Sequence, residues 1–253
     1  MLFKIILNFF SPYKRKIIYF LKKKINLDNE KNNNSLSLDN LFIKYGSDKA
    51  TLWNNNKGHG YTKFYIKHFN KIRKKKLNIL EIGSFSGASA AAFSKYFLKA
   101  NIYCLDINIS NFKYKSKKIN VFGLDASKLK NADYFLNKIS PNQQKYFFDI
   151  IIDDGSHRLE DILKCFKYFF KSLKPNGFYI IEDFKHPNFY KHLDLKNEPK
   201  IDRLINFFKK KKVVKSNILN NKFQRSVINQ IASINDYKGL LKDSFIVFLK
   251  KLN

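Results

Sequence analysis

The chain has 253 residues, enough to bury one sizeable core in a single globular domain with an N-terminal extension. Its content of 44% hydrophobic and 16% aromatic residues excludes an intrinsically disordered chain. The net charge of +29 is typical of nucleic-acid-binding proteins, but only five of the 49 basic residues are arginine, the residue suited to forked contacts with phosphates and bases.

The excess of lysine is better explained by a general drift in composition, because asparagine, isoleucine, phenylalanine and tyrosine are abundant together with it. We therefore expect no nucleic-acid partner. Most lysine runs then form ordinary solvated surface, and attraction to anionic lipid or acidic glycans is the functional alternative.

The N-terminal segment, residues 1–25, is apolar at first and then basic. Lys4 interrupts the first apolar run, which is too short to span a bilayer, and no small-residue cleavage site of a secretory signal follows. From Tyr13 the pattern predicts an amphipathic helix whose apolar residues share one face: Ile17, Ile18, Leu21 and Ile25. Two interpretations stay open, a helix on an anionic membrane surface and a helix packed on the domain itself.

Three segments are predicted along the chain. Residues 1–40 form the basic extension and, from Asn26 to Asn40, an asparagine-rich linker. Residues 41–76 form a helical cap segment, with glycine turns followed by a helix from Tyr61. Residues 77–253 form the main domain.

Short apolar runs alternate with helical patterns in the main domain. The apolar runs are "LNILEIG", "NIYCLDI", "INVFGLD", "FFDIIIDDG" and "FYIIEDF". The helical patterns are "ASAAAFSKYFLK", "LKNADYFLNKI" and "LEDILKCFKYFFKSLK", the last ending before Pro175. This alternation predicts an α/β fold with a doubly wound, mostly parallel sheet. Beyond Tyr190 the predictions are a helix near Ile201–Lys210 and strands near Val227–Ile234 and Ser244–Lys250.

The first three strands of such a sheet end in residues that suit a nucleoside ligand. Gly83 and Gly87 let the chain turn sharply after the first strand, although Phe85 stands where a middle glycine would be. Asp106 follows about twenty residues later, where a carboxylate can bind ribose hydroxyls. Asp125 could meet an adenine edge, but an ordinary loop aspartate is an equal alternative. The missing third glycine disfavours a nicotinamide enzyme.

The fourth and fifth strands end in a cluster of acids. If these strands are neighbours, Asp154, Glu182 and Asp183 converge at one rim, where like charges repel unless a cation is present. Oxygen ligands suit a hard divalent cation, and His157 is close enough to act as a general base. Taken singly, each residue also fits a plain interpretation, such as a helix cap, a solvated loop or a surface histidine.

Together these motifs resemble class I S-adenosylmethionine-dependent methyltransferases. Within them the chain is most similar to the metal-dependent sugar O-methyltransferases of the macrolide (mycinamicin) type, over about residues 41–184. "DDGSH" followed by "IED" is the most specific part of the resemblance, and the upstream "YGSDKATLW…HGYTKFY" is similar as well. The resemblance implies a Rossmann-like domain.

The resemblance also implies roles for individual residues. It places Glu81, Gly83 and Gly87 at the methionine end of the cofactor, Asp106 at the ribose and Asp125 by the adenine. Ser84 and Asp153 are included among the cofactor-binding residues without a particular contact. Asp154, Glu182 and Asp183 match the magnesium ligands, and His157 matches the general base, which Gly155 would turn toward the metal.

The activity that the resemblance implies is O-methylation of a sugar hydroxyl, on a surface glycan or a glycosylated metabolite. The cofactors are then S-adenosyl-L-methionine and magnesium. Two alternatives stay open: a methyltransferase acting on RNA or protein, and a non-catalytic membrane-surface protein on the same fold.

The place of the protein in the cell is predicted from its cysteines and its N-terminal segment. Cys104 and Cys165 lack the spacing of a zinc or redox motif, which indicates two buried thiols in a reducing compartment. We expect a cytoplasmic protein, with residues 1–25 as the part that could meet the inner face of the membrane. Homo-oligomerisation is left open.

Overall fold

The computed structural model describes residues 13–30, 36–140 and 146–253. Its centre is a sheet of seven strands: β1 (Lys76–Ile82), β2 (Lys99–Asp106), β3 (Ile119–Gly123), β4 (Phe148–Asp153), β5 (Leu173–Glu182), β6 (Ile231–Lys238) and β7 (Phe245–Lys251). The strand order is β6-β7-β5-β4-β1-β2-β3. Strands β1 to β5 pair in parallel, whereas β7 pairs antiparallel with β5 and β6.

Helices cover both faces of this sheet. They are α1 (Leu38–Tyr45), α2 (Thr62–Phe69), α3 (Ala88–Tyr96), α4 (Leu129–Ile139), α5 (Leu159–Phe169), the single turn α6 (His186–Phe189), α7 (Ile201–Lys209) and α8 (Asn221–Gln230). Residues of α1, α2 and α3 pack in one buried cluster, and residues of α4, α5, α7 and α8 pack in another. Each helix buries an apolar face because its apolar residues recur three or four positions apart. The two-faced sheet confirms the predicted fold class.

The order of the strands brings the predicted site together. From β1 the chain moves outward across the sheet in one direction, to β2 and then β3. From β4, on the other side of β1, it moves outward in the opposite direction, to β5. Ligands of open α/β sheets bind at such a switch point, beyond the carboxyl ends of the strands. β4 and β5 are parallel neighbours, with Asp153 opposite Ile181, so the acids that follow them meet at one edge.

The later part of the chain differs from the predictions in detail. α7 lies where a helix was predicted, but the strand predicted from Val227 begins only at Ile231. Residues before it form α8, which the Asn220 side chain caps by accepting a hydrogen bond from the Phe223 amide at 2.8 Å. β5 also begins earlier than predicted and runs through Pro175.

The N-terminal region is attached to the sheet domain more closely than predicted. Residues 13–21 form a helix, but Ile25 is not part of it, because Ile25–Asn26 pairs in parallel with Tyr114–Lys115. Within the predicted linker, Leu27 and Leu38 are buried in the core. Residues 1–12 and 31–35 lie outside the described residues. No helix in the described ranges has both the length and the apolar character needed to cross a membrane.

Candidate active site

The turn after β1 has the backbone conformation of a glycine-rich loop even where it lacks glycine. Gly83 (φ +84°) could not carry a side chain, because a Cβ atom would come within 2.0 Å of the Asp154 carbonyl oxygen. Gly87 (φ +78°) similarly leaves room for the Phe112 ring. Phe85 adopts φ +41° and is 66% exposed. A bulky residue in this left-handed region is strained, so the turn is retained at an energetic cost.

A cavity of about 590 Å³ opens at this turn, between the ends of β1, β2 and β4. Its volume is in the range of small-molecule sites. Seven of the predicted site residues line it: Gly83, Ser84, Asp106, Asp125, Asp153, Asp154 and His157. The other four, Glu81, Gly87, Glu182 and Asp183, are not among the lining residues.

Two predicted ribose and adenine ligands also hold the cavity loops in place. Asp106 accepts hydrogen bonds from the backbone amides of Phe85 (2.7 Å) and Asn108 (2.6 Å). Asp125 accepts from the amide and the hydroxyl of Ser127, at 3.0 and 2.6 Å. The structure therefore gives both carboxylates a structural role in addition to any contact with a ligand.

Two buried carboxylates, one in the cavity lining and one at the end of β1, have an oxygen that is not hydrogen-bonded within the described residues. Glu81 accepts from the Ser89 hydroxyl through one oxygen, but its Oε2 atom has no partner among the described residues. Asp153 Oδ2 likewise has no hydrogen-bond partner among the described residues. Burial raises the pKa of Glu81 to about 7 and that of Asp153 well above its ordinary value. Unpaired buried acceptors are costly, so a ligand that brings hydrogen-bond donors, such as an amino group, would stabilise these acids.

Lys49, which no sequence motif indicates, lies among the predicted metal ligands. The Lys49 ammonium, only 2% exposed, donates to Glu182 Oε2 at 2.7 Å and to Asp154 Oδ2. Burial lowers the pKa of Lys49, but these two carboxylates outweigh burial and hold that pKa well above its ordinary range. The ammonium therefore stays charged and neutralises part of the acid cluster.

The cap segment supplies further donors to the same acids. Tyr65 donates to Glu182 Oε1, and Tyr61 donates to Asp183 Oδ1. His59 Nδ1 lies 3.3 Å from Asp183 Oδ1. Burial lowers the pKa of His59, but the hydrogen bond to Asp183 outweighs it and raises that pKa to about 9. The i, i+4 spacing of the two tyrosines was the available sequence signal, since it puts both on one helix face.

Two histidines lie beside the cluster. His157 Nε2 lies 3.8 Å from Asp154 Oδ1, and His186 Nε2 lies 3.5 Å from Asp183 Oδ1. The two imidazole rings are 4.9 Å apart. His157 and Asp183 both adopt positive φ angles, +55° and +50°, so the turn expected at Gly155 is made at His157 itself. Left-handed backbone of this kind concentrates at functional sites.

The charges of the cluster fit a divalent cation. Three carboxylates, those of Asp154, Glu182 and Asp183, face one ammonium and one imidazolium, Lys49 and His59. Burial raises the pKa of Glu182 to about 8, so its carboxylate ionises more readily when a further cation is bound, and oxygen donors suit a hard cation such as magnesium. His157, Asp183 and His186 also place one potential ligand atom each within 4.8 Å of one another.

Comparisons with known proteins agree with the predicted resemblance. No family model matches the chain. The 8-demethyl-8-alpha-L-rhamnosyl tetracenomycin-C 2'-O-methyltransferase of Streptomyces olivaceus is 28% identical over 153 residues, 58% of this chain and 37% of that protein. The L-olivosyl-oleandolide 3-O-methyltransferase of Streptomyces antibioticus is 31% identical over 158 residues, 60% of this chain and 38% of that protein. The chain thus spans well under half the length of these curated relatives.

A solved structure shows the same fold. The MycE methyltransferase of the mycinamycin biosynthetic pathway, in complex with Mg and SAH, matches with a TM-score of 0.62 and 21% identity. The match covers 86% of this chain and 55% of that one. The predicted Rossmann-like methyltransferase fold and the similarity to macrolide sugar O-methyltransferases are both confirmed.

Proposed function

From this similarity and the geometry of the site, we propose that the chain is an O-methyltransferase that moves the methyl group of S-adenosylmethionine to a sugar hydroxyl. One observation carries the proposal: a cofactor-sized cavity, lined by Asp153 and by Ile82 next to Glu81, adjoins an acid cluster that includes a histidine. Asp153 and Glu81 each have an unpaired buried oxygen. The relatives named above are sugar O-methyltransferases, which supports the choice of acceptor.

The cavity residues would hold the cofactor. In this proposal the Glu81 carboxylate, with its free Oε2 atom, acts toward the amino group of the methionine moiety, and Asp106 binds the ribose. Asp125 would lie by the adenine, and Asp153 lines the same cavity. Gly83, Ser84 and Gly87 form the turn that allows the backbone to approach the cofactor.

Asp154, Glu182 and Asp183 would hold the cation. A bound magnesium ion would supply a Lewis acid that stabilises negative charge on the acceptor oxygen. Lys49, Tyr61, Tyr65 and His59 act as positioning residues, because their hydrogen bonds set where the carboxylate oxygens point.

His157 would take the proton of the acceptor hydroxyl. Bound S-adenosylmethionine would supply the methyl carbon: the acceptor oxygen would bond to it as the carbon–sulfur bond breaks, leaving a neutral thioether. The imidazolium so formed lies near the Asp154 carboxylate, which stabilises its charge. The histidine is partly exposed at the cavity wall, where an acceptor can reach it.

The acceptor in this proposal is a surface glycan or a glycosylated metabolite. RNA is a weaker candidate, because the acid cluster repels a phosphate backbone. A cytoplasmic enzyme near the inner face of the membrane would suit a lipid-linked sugar.

Methyl transfer from radiolabelled S-adenosylmethionine to a panel of nucleotide-sugars, lipid-linked sugars and RNA tests the proposal. We expect a sugar acceptor, loss of activity in EDTA, and strong loss in His157→Gln, with His192→Gln, an exposed histidine, as the matched control. Activity on RNA alone would overturn the acceptor class. Full activity in EDTA would remove the metal, and an unimpaired His157→Gln enzyme would remove the base.

A further inference from the structure

The N-terminal helix exposes a continuous apolar stripe. Tyr13, Ile17, Phe20 and Leu21 occupy positions i, i+4, i+7 and i+8, which share one side of a helix. Their exposed fractions are 63, 58, 76 and 81%. Solvated helices of globular domains usually turn such a face toward the core. Here it faces away from the part of the chain that the structure describes.

The opposite side of this helix is attached to the domain, which fixes the direction of the stripe. Tyr19 packs edge-on against Phe112, with ring centroids 6.4 Å apart. Arg15 donates to the Ile107 carbonyl oxygen at 3.3 Å, and Lys22 donates to that of Ser110 at 3.2 Å. Positions 15, 19 and 22 lie opposite the stripe on a helix of 3.6 residues per turn. The helix is therefore docked through its polar side.

Basic residues border the stripe. Residues 14–24 include six lysines and arginines and no acid. Lys14 and Lys16 flank the stripe on either side and are exposed. The segment that pairs with Ile25–Asn26, directly after this helix, adds three exposed lysines: Lys113, Lys115 and Lys117. An apolar face bordered by lysines is the pattern of helices that lie in the interface of an anionic bilayer.

We propose that the stripe of Tyr13, Ile17, Phe20 and Leu21 docks this protein on an anionic membrane surface, with the surrounding lysines at the phosphate headgroups. A second copy of the chain is a poorer occupant, because two chains of net charge +29 would meet through their basic edges. An anionic bilayer would instead bury the apolar stripe and attract the lysines that border it.

The docking site adjoins the cofactor cavity. The helix rests on the segment from Ile107 to Asn111, and Ile107 lines the cavity. The Lys113 amide donates to the Ser86 carbonyl oxygen of the cofactor turn at 3.0 Å. If the proposed function holds, a protein bound through this helix presents its site to acceptors at the membrane, which points to lipid-linked sugars. Membrane binding itself needs neither cofactor nor acceptor.

Vesicle flotation of the full chain tests the proposal. The probes are phosphatidylcholine vesicles with and without phosphatidylglycerol. We expect binding only to the anionic vesicles and a decrease in bound fraction with salt. Phe20→Ser with Leu21→Ser should weaken binding by about tenfold or more, because both side chains leave the apolar face. Leu129→Ser with Tyr134→Ser, two exposed apolar residues on α4, is the matched control.

Three outcomes would overturn the proposal. One is a wild-type protein that does not bind anionic vesicles. Another is a stripe variant that binds as well as the wild type. The third is a concentration-dependent dimer, seen by sedimentation and abolished in the stripe variant, in a protein that ignores vesicles. Methyl transfer to a soluble sugar, measured in parallel, reports on the proposed function separately.

Discussion

Replacing Lys49 with methionine removes the ammonium that contacts both Asp154 and Glu182 while keeping the side chain at a similar length. The Lys49 and Glu182 side chains are each 2% exposed, and their charged atoms are 2.7 Å apart. Removing one partner of a buried ion pair typically costs about 3–5 kcal/mol, because the other charge is left uncompensated. For a chain of this size that corresponds to a decrease in Tm of about 6 °C or more.

Thermal unfolding in EDTA and in magnesium measures this effect. We expect Lys49→Met to unfold well below the wild type in EDTA. Magnesium should raise the Tm of the variant more than that of the wild type, because a bound cation replaces the missing positive charge and binding stabilises the folded state. Lys174→Met is the matched control: its partner Asp149 lies at a similar distance, but both side chains are partly exposed. That pair should be worth about 1 kcal/mol or less.

Two results would refute this reasoning. If Lys49→Met in EDTA loses no more stability than Lys174→Met, the ammonium does not neutralise the acid cluster. If magnesium stabilises the wild type and the variant equally, the cation does not share the site of Lys49.

Three further predictions concern the cavity and the core. Gly83→Ala should destabilise the protein by about 2 kcal/mol or more, measured by urea unfolding, because the added Cβ atom meets the Asp154 carbonyl oxygen and the φ angle is positive; a loss below about 0.5 kcal/mol would contradict the turn geometry. Glu81→Gln should weaken S-adenosylmethionine binding by about tenfold or more in calorimetry, because a charge-assisted hydrogen bond to the amino group is lost; unchanged affinity would remove Glu81 from the cofactor site. Burial lowers the pKa of His68 from 6.5 to about 4. The unfolded chain therefore takes up the proton first as the pH falls, and the stability present above about pH 6.5 declines toward about pH 4. His68→Phe should flatten the stability profile in that window, and a slope equal to that of the wild type would contradict the assignment.

Much of the site could be predicted because its residues follow regular strands. The apolar runs indicated strands that are buried on both faces of a sheet. An acid directly after such a run was therefore expected at the carboxyl edge of that sheet. Asp106, Asp154 and His157 were therefore predicted to share one edge of the sheet, and the structure puts all three in the wall of one cavity. The glycine turn was also predictable, although the ability of Phe85 to adopt a left-handed conformation was not.

The partners of those acids were not predictable from the same patterns. Lys49 is 105 residues from Asp154 and 133 from Glu182 along the chain. Periodicity reports which side of an element is buried, but not which distant side chain it meets. In the sequence, nothing distinguishes Lys49 from the many other lysines. Only its burial in the tertiary structure distinguishes it from the solvated ones.

The N-terminal helix shows the same division. Its amphipathic pattern was visible in the sequence, which left open whether the apolar face meets the domain or points away from it. The contacts of Arg15, Tyr19 and Lys22 show that the apolar face points away from the domain, because these three residues lie on the opposite side of the helix and contact the domain. The sequence by itself determined the local elements and the chemistry carried to each strand end, since these depend on neighbouring residues. Only the tertiary structure decided which buried charges form pairs and which way the apolar face of the helix points, since both depend on residues brought together by the whole fold.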